Sequence, residues 1–339
     1  MKKIILSAIV FVGAMTLNAQ DEAPKLSISG TVDAYYQTYL SAPDDVSGSF
    51  GTSFADEAGF ALGMANLILS YDGEKTGVVA DLVFGPRGDA AIGQNLGEGN
   101  LGQYLNQLYA YWNVSESTTL TAGRFNTYLG YEVISPAGNF NYSTSYLFSN
   151  GPFSHVGLKA DFALSEDFSL MLAFMNPTDT NNNTTGDYGF GAQLGYAGQY
   201  LNLYYDNDSA LGFEIDYTGG FDLSESFFLG INGAYQVKDD AGFYGAALYP
   251  QLTTSESFSI GLRGELFGYH EKDGEDLPSV FATTLTGSYT VENLTIKPEV
   301  RLDAWTNGEN LENGLPYVDA DGVASESLAA FTIAAIYSF

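Results

Sequence analysis

The amino-acid sequence predicts an all-β protein, a transmembrane antiparallel β-barrel of about 16 strands (roughly 14 to 18). Three features predict it: apolar and polar residues alternate with a period of two, short and long connections alternate between these runs, and the last strand ends at an aromatic carboxyl terminus. Alternation with this period puts successive side chains on opposite faces of a strand. An apolar outer face around a polar interior is typical of outer-membrane barrels.

The last strand, LAAFTIAAIYSF, shows this division into two faces. Its apolar face is formed by Phe331, Ile333, Ala335, Tyr337 and Phe339. Lipid covers such a face, and pairing with the first strand removes the free edge. A terminal aromatic residue resembles the signal that outer-membrane barrels present to their assembly machinery. We therefore expect outer-membrane lipid as one partner and the barrel assembly machinery, through the strand ending at Phe339, as another.

The amino terminus predicts export from the cytoplasm. Lys2 and Lys3 precede an apolar stretch over residues 4–17, and Ala19 offers a small residue for cleavage. This pattern predicts a signal peptide over residues 1–19, followed by a barrel over residues 20–339. The chain contains no cysteine, so its stability must come from a large core or a closed hydrogen-bond ladder.

The composition excludes several classes of protein. The formal net charge is −29, with 12 Lys and Arg residues against 41 Asp and Glu residues. Nucleic-acid binding is therefore not expected, because a phosphate backbone needs a basic surface. Beyond the signal peptide, no stretch reaches the 18 or more apolar residues of a spanning helix.

The connections between the apolar runs predict the strand number. Seven are short: Asp72–Lys75, Ser115–Thr118, Ser165–Asp167, Ala197–Gln199, Leu223–Glu225, Thr254–Glu256 and Val291–Asn293. Eight are longer or more variable: 41–57, 86–102, 129–152, 177–187, 206–209, 238–241, 270–277 and 307–326. Fifteen connections imply 16 strands, with both termini on the side of the short periplasmic turns and the longer connections outside the cell.

The inner faces of the predicted strands carry charges. In NLTIKPEVRLDAW, Lys297, Glu299, Arg301 and Asp303 share one face, and a basic residue facing lipid near mid-depth would cost about 2–4 kcal/mol. The same alternation, together with Glu132 in a loop, predicts these pore-lining residues: Asp33, Asp81, Arg124, Glu132, His155, Lys159, Asp161, Glu214, Asp216, Arg263, Glu265, Lys297, Glu299, Arg301 and Asp303. For each one, a structural ion pair in the wall is the alternative.

The residues needed for catalysis or metal binding are sparse. The chain has two histidines, His155 and His270, and neither lies in a sequence context that predicts a nucleophilic site. The stretch VDADG and the loop EKDGED lack the full ligand spacing of a calcium loop. The sequence therefore predicts neither an enzyme nor a cofactor or dedicated metal site.

Residues 123–162 carry a family resemblance. Gly123, Arg124 and Phe125 end a strand, Gly130, Tyr131 and Glu132 follow, and a loop rich in Asn, Tyr and Ser contains Asn139, Asn141, Tyr142 and Ser143 before Pro152, His155 and Gly157. This arrangement resembles the OmpL-like family of β-barrel porins, as does the opening strand SGTVDAYYQTYL. The resemblance implies a porin-like barrel of the outer membrane, without identifying a solute.

The connection over residues 129–152 differs from its acidic neighbours. Glu132 is its one charged residue, among many Asn, Ser, Tyr and Phe residues. We expect it to fold inward against Arg124, His155 and Lys159 as a constriction loop, with Asn139, Asn141, Tyr142 and Ser143 in it. A structured cap on the rim is the alternative.

Together these features predict a porin of the Gram-negative outer membrane, through which small hydrophilic solutes diffuse passively. Because the outer loops are acidic and the predicted lumen charges nearly balance, we expect a modest preference for cations. The alternative is a non-conducting barrel that acts as a surface receptor or adhesion scaffold. Association into a homo-oligomer stays open.

Overall fold

The computed structural model describes residues 25–44, 49–92, 104–207, 210–271, 277–311 and 317–339. The predicted signal peptide over residues 1–19 lies outside them. The strands of the barrel are β1 (Lys25–Tyr39), β2 (Gly59–Asp72), β3 (Thr76–Phe84), β4 (Leu105–Ser115), β5 (Thr118–Asn126), β6 (Ser154–Ala163), β7 (Phe168–Met175), β8 (Gly189–Tyr196), β9 (Gln199–Asp206), β10 (Phe213–Asp222), β11 (Phe227–Lys238), β12 (Ala241–Thr253), β13 (Phe258–Glu271), β14 (Ser279–Val291), β15 (Leu294–Thr306) and β18 (Ser327–Ser338).

The remaining elements of the described residues lie in the long connections. Helix α1 (Pro86–Ile92) follows β3, and helix α2 (Tyr146–Asn150) precedes β6. A 3-10 helix (Gly308–Asn310) and a small hairpin of β16 (Tyr317–Val318) and β17 (Ala324–Ser325) lie between β15 and β18. No helix of the described residues is long and apolar enough to cross a membrane.

Each barrel strand pairs with antiparallel neighbours, and the sheet closes on itself. The order runs from β1 to β15 and then to β18, which pairs with both β15 and β1. The predicted closed barrel of 16 antiparallel strands is therefore confirmed. Closure gives every strand two partners and leaves no free edge in the membrane.

The connections alternate in length, with one exception. Between β11 and β12, where a longer connection was expected at 238–241, Asp239 and Asp240 alone form the turn. Both adopt a positive φ, 51° and 70°. This is the backbone of a two-residue hairpin turn, whose twist matches that of the flanking strands. The acidic dipeptide thus makes a tight turn on the side of the long connections.

The two faces of the strands differ in exposure. On β18, Ala330, Thr332 and Ala334 are buried, whereas Ile333 and Tyr337 are 39% and 49% exposed. The same alternation places large apolar side chains on the outer surface of every sector, such as Leu26, Phe174 and Leu302. In water these side chains would form an unusually large exposed apolar surface, and a bilayer supplies the apolar medium that they need.

The carboxyl terminus lies in the seam that closes the barrel. The backbone N–H of Phe339 donates to the carbonyl of Gly30 at 3.0 Å, and the N–H of Gly30 donates to the carbonyl of Phe339 at 3.0 Å. The last residue thus extends the ladder between β18 and β1.

Deletion of Phe339 is expected to reduce the amount of folded barrel in the outer membrane. It removes a reciprocal pair of seam hydrogen bonds and the terminal aromatic residue. The heat-modifiable form on gels, measured against the full chain, reports folding, and Phe339→Tyr is the matched control because it keeps both features. Equal levels of folded barrel from the truncated chain would contradict the prediction.

Candidate functional site

The residues between β5 and β6, 127–153, form what we call the inner segment. It leaves the strand ends and runs inside the barrel, where it makes hydrogen bonds to β13, β14 and β15. In a ring of 16 strands, the strand eight positions from β5 is β13, and the one eight positions from β6 is β14. The inner segment therefore crosses the full width of the lumen.

Basic side chains satisfy the carbonyl groups of the inner segment. An irregular chain has no ladder partner, so each buried carbonyl needs another donor. Four cations supply these donors: Arg87 of α1, Arg263 of β13, and Lys297 and Arg301 of β15. The accepting carbonyls are Ile134 (3.2 Å) and Tyr142 (2.8 Å) for Arg87, Ser143 (2.7 Å) for Arg263, Pro136 (3.0 Å) and Asn139 for Lys297, and Thr144 (3.0 Å) for Arg301.

Carboxylates of the wall accept hydrogen bonds from the N–H groups of the inner segment. Glu299 accepts from the backbone of Tyr142 at 2.8 Å and of Ser143 at 3.1 Å. Glu265 accepts from the backbone of Tyr146 at 3.0 Å and of Leu147 at 2.8 Å, at the start of α2. The inner segment is thus held through its main chain, by hydrogen bonds that include ionisable partners.

Two tyrosines and two ion pairs complete the attachment. The hydroxyl of Tyr142 donates to Asp33 of β1 at 2.6 Å, and that of Tyr146 donates to Asp303 at 2.7 Å. The ion pairs are Arg263 with Glu132 and Arg301 with Asp303, each at 2.7 Å. All seven side chains are buried, so solvent screens these interactions little.

The wall also leaves room for the aromatic side chains of the inner segment. The ring of Tyr131 lies against Gly230 of β11 and stacks on Tyr249 of β12, with 4.3 Å between ring centroids. Phe140 lies against Gly261 of β13. A Cβ atom at either glycine would collide with the ring. The absence of a side chain at these two positions therefore provides the space in which the rings pack.

The connection between β1 and β2 also packs inside the barrel. Phe50 lies 4.3 Å from the guanidinium carbon of Arg301, and Phe54 lies 4.5 Å from that of Arg87. Asp56 follows in the same connection, and burial raises its pKa to about 6, although the charge of Arg301 lowers it. Two of the cations that hold the inner segment are therefore also covered by aromatic rings.

Among the residues predicted as pore-lining, Lys159 and Asp161 remain accessible to water. On the inner face of β6, Lys159 and Asp161 form an ion pair at 2.9 Å, with side chains 26% and 41% exposed. Lys159 pairs across the sheet with Thr121 and Ala173, which are buried inside the barrel. β6 lies across the ring from β14, so this pair is on the side opposite the wall that holds the tip of the inner segment.

The other residues predicted as pore-lining are buried. Asp81 accepts from Asn66, Asn106 and Gln107. Asp216 accepts from Asn202 and Asn232 at 2.6 Å each and from the N–H of Gly130 at 3.0 Å. The other members of this buried group are Asp33, Glu132, His155, Glu214, Arg263, Glu265, Lys297, Glu299, Arg301 and Asp303. The predicted constriction-loop residues Asn139, Asn141, Tyr142 and Ser143 are buried as well.

The position of Arg124 corrects the expectation for that residue. The register pairs it with Leu108 and Val156, and directly paired residues share a face. The next pair, Phe125 with His155, is buried on the other face. The guanidinium of Arg124 instead donates to the Asn106 carbonyl at 3.0 Å and to the Asn181 side chain at 2.6 Å. Arg124 therefore fastens the connection after β7.

The inner segment makes the expected contact with His155 but differs from expectation at Lys159. The ring of His155 is 3.0 Å from the hydroxyl of Thr127 and packs on Tyr128, at the start of the inner segment. Lys159 pairs with Asp161. The main attachment lies on the opposite wall because the segment is long enough to cross the lumen.

Sequence reasoning missed Arg87 and Phe50. Arg87 is the one basic residue in the sequence of the connection 86–102. This isolated positive charge was the feature from which its role could have been predicted. Among the residues that the structure describes, no group of three or more His, Asp or Glu side chains could hold a metal ion.

Comparison with known proteins places this architecture in a family. Residues 25–339 match the sequence profile of the family described as "Putative beta-barrel porin-2, OmpL-like". The chain belongs to this family. The match covers the whole barrel, so the resemblance seen over residues 123–162 is confirmed. Among curated proteins, no sequence matches this chain.

Solved outer-membrane proteins share the fold of this porin-family chain. The channel DcaP of Acinetobacter baumannii is 12% identical, with a TM-score of 0.59, and the match covers 94% of this chain and 99% of that one. An anion-selective porin from Comamonas acidovorans is 11% identical, with a TM-score of 0.59 and coverage of 94% and 100%. OmpT of Vibrio cholerae in a trimer form is 10% identical, with a TM-score of 0.56 and coverage of 94% and 100%. The chain is therefore a porin-like barrel of the outer membrane.

Proposed function

We propose that this barrel is a porin through which small hydrophilic solutes diffuse passively, with a modest preference for cations. The observation that carries the proposal is the asymmetry of the lumen. The inner segment is fastened to β13, β14 and β15, whereas Lys159 and Asp161 on the opposite wall stay accessible to water. The attachment of the inner segment to one wall and the accessibility of the other wall both support a narrow water-filled path along β6. The inner segment then forms one side of the constriction.

The charge of the outer mouth supports the cation preference. Exposed acidic residues on the side of the long connections are Asp44, Glu57, Asp89, Asp239, Asp240, Glu271, Glu309, Asp321 and Glu326. Of the basic residues that the structure describes there, Arg87 and Arg124 are buried, and Lys238 is half-buried. A mouth with an excess of one charge concentrates counter-ions. The anion selectivity of the Comamonas porin belongs to that protein.

The expected cation preference should weaken as salt rises, because the screening length falls from about 10 Å at 0.1 M to about 3 Å at 1 M. Reversal potentials of the purified protein in a planar bilayer, measured across KCl gradients at low and high mean salt, test this. Replacing Asp239 and Asp240 with asparagine is expected to lower the preference at low salt only, since both residues are exposed at the rim. Anion preference in the unmodified channel would contradict the electrostatic explanation.

One observation favours a second candidate, a non-conducting barrel that serves as a surface receptor or adhesion scaffold. The inner segment is bonded on both sides of the lumen, by Arg87 next to β3 and by Arg263, Lys297 and Arg301 on the far wall. Absence of conductance from correctly folded barrels would support this candidate.

The partners follow from the same proposal. They are membrane lipid, the barrel assembly machinery at the strand ending in Phe339, and the permeating solutes. A homo-oligomer is a further possibility, because OmpT has been solved in a trimer form. Crosslinking in native membranes would measure the number of copies.

A further inference from the structure

We propose that the ion pair of Lys159 and Asp161 is the charged site in the wall that a permeating ion or solute meets, and that it sets the charge selectivity of the constriction. This inference rests on the proposed function as a porin and gives it a specific site. It also assigns a different role, attachment of internal structure, to most of the charges that the sequence places inside the barrel.

The first support is the difference in accessibility between these two residues and the other charges predicted to line the pore. The side chains of Lys159 and Asp161 are 26% and 41% exposed. By contrast, the inner-face charges Asp33, Asp81, Glu214, Asp216, Arg263, Glu265, Lys297, Glu299, Arg301 and Asp303 are at most 4% exposed. A charge that water cannot reach cannot touch a hydrated solute, whereas the pair on β6 can.

The second support is the bonding of the buried charges. Arg263, Lys297 and Arg301 donate to carbonyls of the inner segment, and Glu265 and Glu299 accept from its N–H groups. These groups are occupied by main-chain partners. Lys159 and Asp161, in contrast, bond to each other, and Lys159 lies 5.7 Å from the ring centre of Phe125.

The third support is position. The inner segment reaches Lys297, the fourth residue of β15 from the short-turn end, and Asp161 lies two residues before the same end of β6. The exposed residues at the tip of the inner segment are Val133, Ala137 and Gly138. They carry no charge, so the wall of β6 supplies the charged groups of a constriction between the tip and that wall.

Because the two charges are opposite and adjacent, each limits the effect of the other. Loss of Asp161 leaves a positive wall, and loss of Lys159 leaves a negative one. A unit charge about 6 Å from a hydrated ion changes the local concentration of that ion by about threefold at water-like dielectric, in opposite directions for cations and anions, so their ratio changes by about tenfold. The two neutral variants should therefore shift the permeability ratio in opposite directions.

Reversal potentials of Asp161→Asn and Lys159→Met across a KCl gradient test the proposal. At low salt we expect the cation-to-anion permeability ratio to fall about tenfold in the first variant and to rise about tenfold in the second. Asp81→Asn, on the inner face of β3 but buried, is expected to leave the ratio unchanged. Unchanged ratios in both β6 variants, or an equal shift from Asp81→Asn, would overturn the assignment while the channel itself conducts.

The absence of cysteine from the chain permits a test of accessibility that does not depend on conductance. Single variants Lys159→Cys and Asp161→Cys in the folded barrel are expected to react quickly with a charged, membrane-impermeant methanethiosulfonate, followed by intact mass. Ala330→Cys and Ala334→Cys, on the buried inner face of β18, are matched controls that should react slowly. Equally slow labelling at all four positions would overturn the proposal.

Fast labelling at the β6 positions supports the accessibility of the ion pair. If the labelled barrel does not conduct, the proposed channel is rejected, and the selectivity role is rejected with it.

Discussion

Replacement of residues 128–152 by a four-residue glycine–serine turn is expected to raise the single-channel conductance several-fold. Asn126 and Ser154 are directly paired, and the N–H of Thr127 donates to the carbonyl of Phe153 at 3.0 Å. A short hairpin turn can therefore join β5 and β6 without moving either strand. The replacement removes the chain that crosses the lumen and leaves a 16-stranded wall, which is wide enough for an aqueous channel.

The same replacement should not destabilise the barrel in proportion to the contacts that it removes. Arg263, Lys297 and Glu299 lose their main-chain partners, but the emptied lumen lets water hydrate them. Conductance in planar bilayers and heat-modifiability on gels would be measured together. Unchanged conductance from a folded, shortened barrel would show that the inner segment does not limit the path.

A single substitution, Arg263→Met, is expected to have the largest effect on stability, about 3–5 kcal/mol in the free energy of unfolding. Arg263 is fully buried and pairs with Glu132 at 2.7 Å, while the same guanidinium group donates to the Ser143 carbonyl at 2.7 Å. Methionine leaves the carboxylate of Glu132 buried without its cation. Urea-induced unfolding of the barrel from lipid vesicles would measure the loss.

The matched control is the double variant Arg263→Met with Glu132→Gln. Glutamine keeps an oxygen that can accept from the Ser145 N–H, which donates to Glu132 at 2.7 Å, and removes the stranded charge. The double variant is therefore expected to be more stable than Arg263→Met alone, and the cycle completed with Glu132→Gln alone gives the coupling between the two side chains. Equal stability of Arg263→Met and the double variant would mean that the stranded carboxylate of Glu132 costs little.

Much of the architecture follows from the sequence because its cause is local. The pleat of a strand places residues 331 and 333 on one face and residues 330 and 332 on the other. The bilayer and the interior then require different chemistry of the two faces, so the alternation can be read without a structure. Short turns such as Asp72–Lys75 separate consecutive strands, and they can also be recognised from the local sequence, so their number predicts the number of strands.

Prediction from the sequence was less accurate at positions where the strict alternation of faces, or the expected length of a connection, does not hold. Arg124 follows Gly123, which has a φ of 135°, and its pairing with Leu108 and Val156 places it away from the face predicted for it. At Asp239 and Asp240, a polar dipeptide suggests a variable loop but forms a two-residue turn. In both cases the register of neighbouring strands, which composition does not reveal, decides the outcome.

By itself the sequence determined the barrel, its strand number, its polar interior and the unusual character of residues 129–152. Only the tertiary structure decided what the interior charges do. Inside the lumen, Arg263 donates to the carbonyl of Ser143, Glu299 accepts from the N–H of Tyr142, and Lys297 donates to the carbonyl of Pro136. The two residues of each hydrogen bond are far apart along the chain. Periodicity reports which face a side chain occupies, since that depends on its own strand. It cannot report which distant backbone group will cover that side chain, because this depends on the closure of the whole ring.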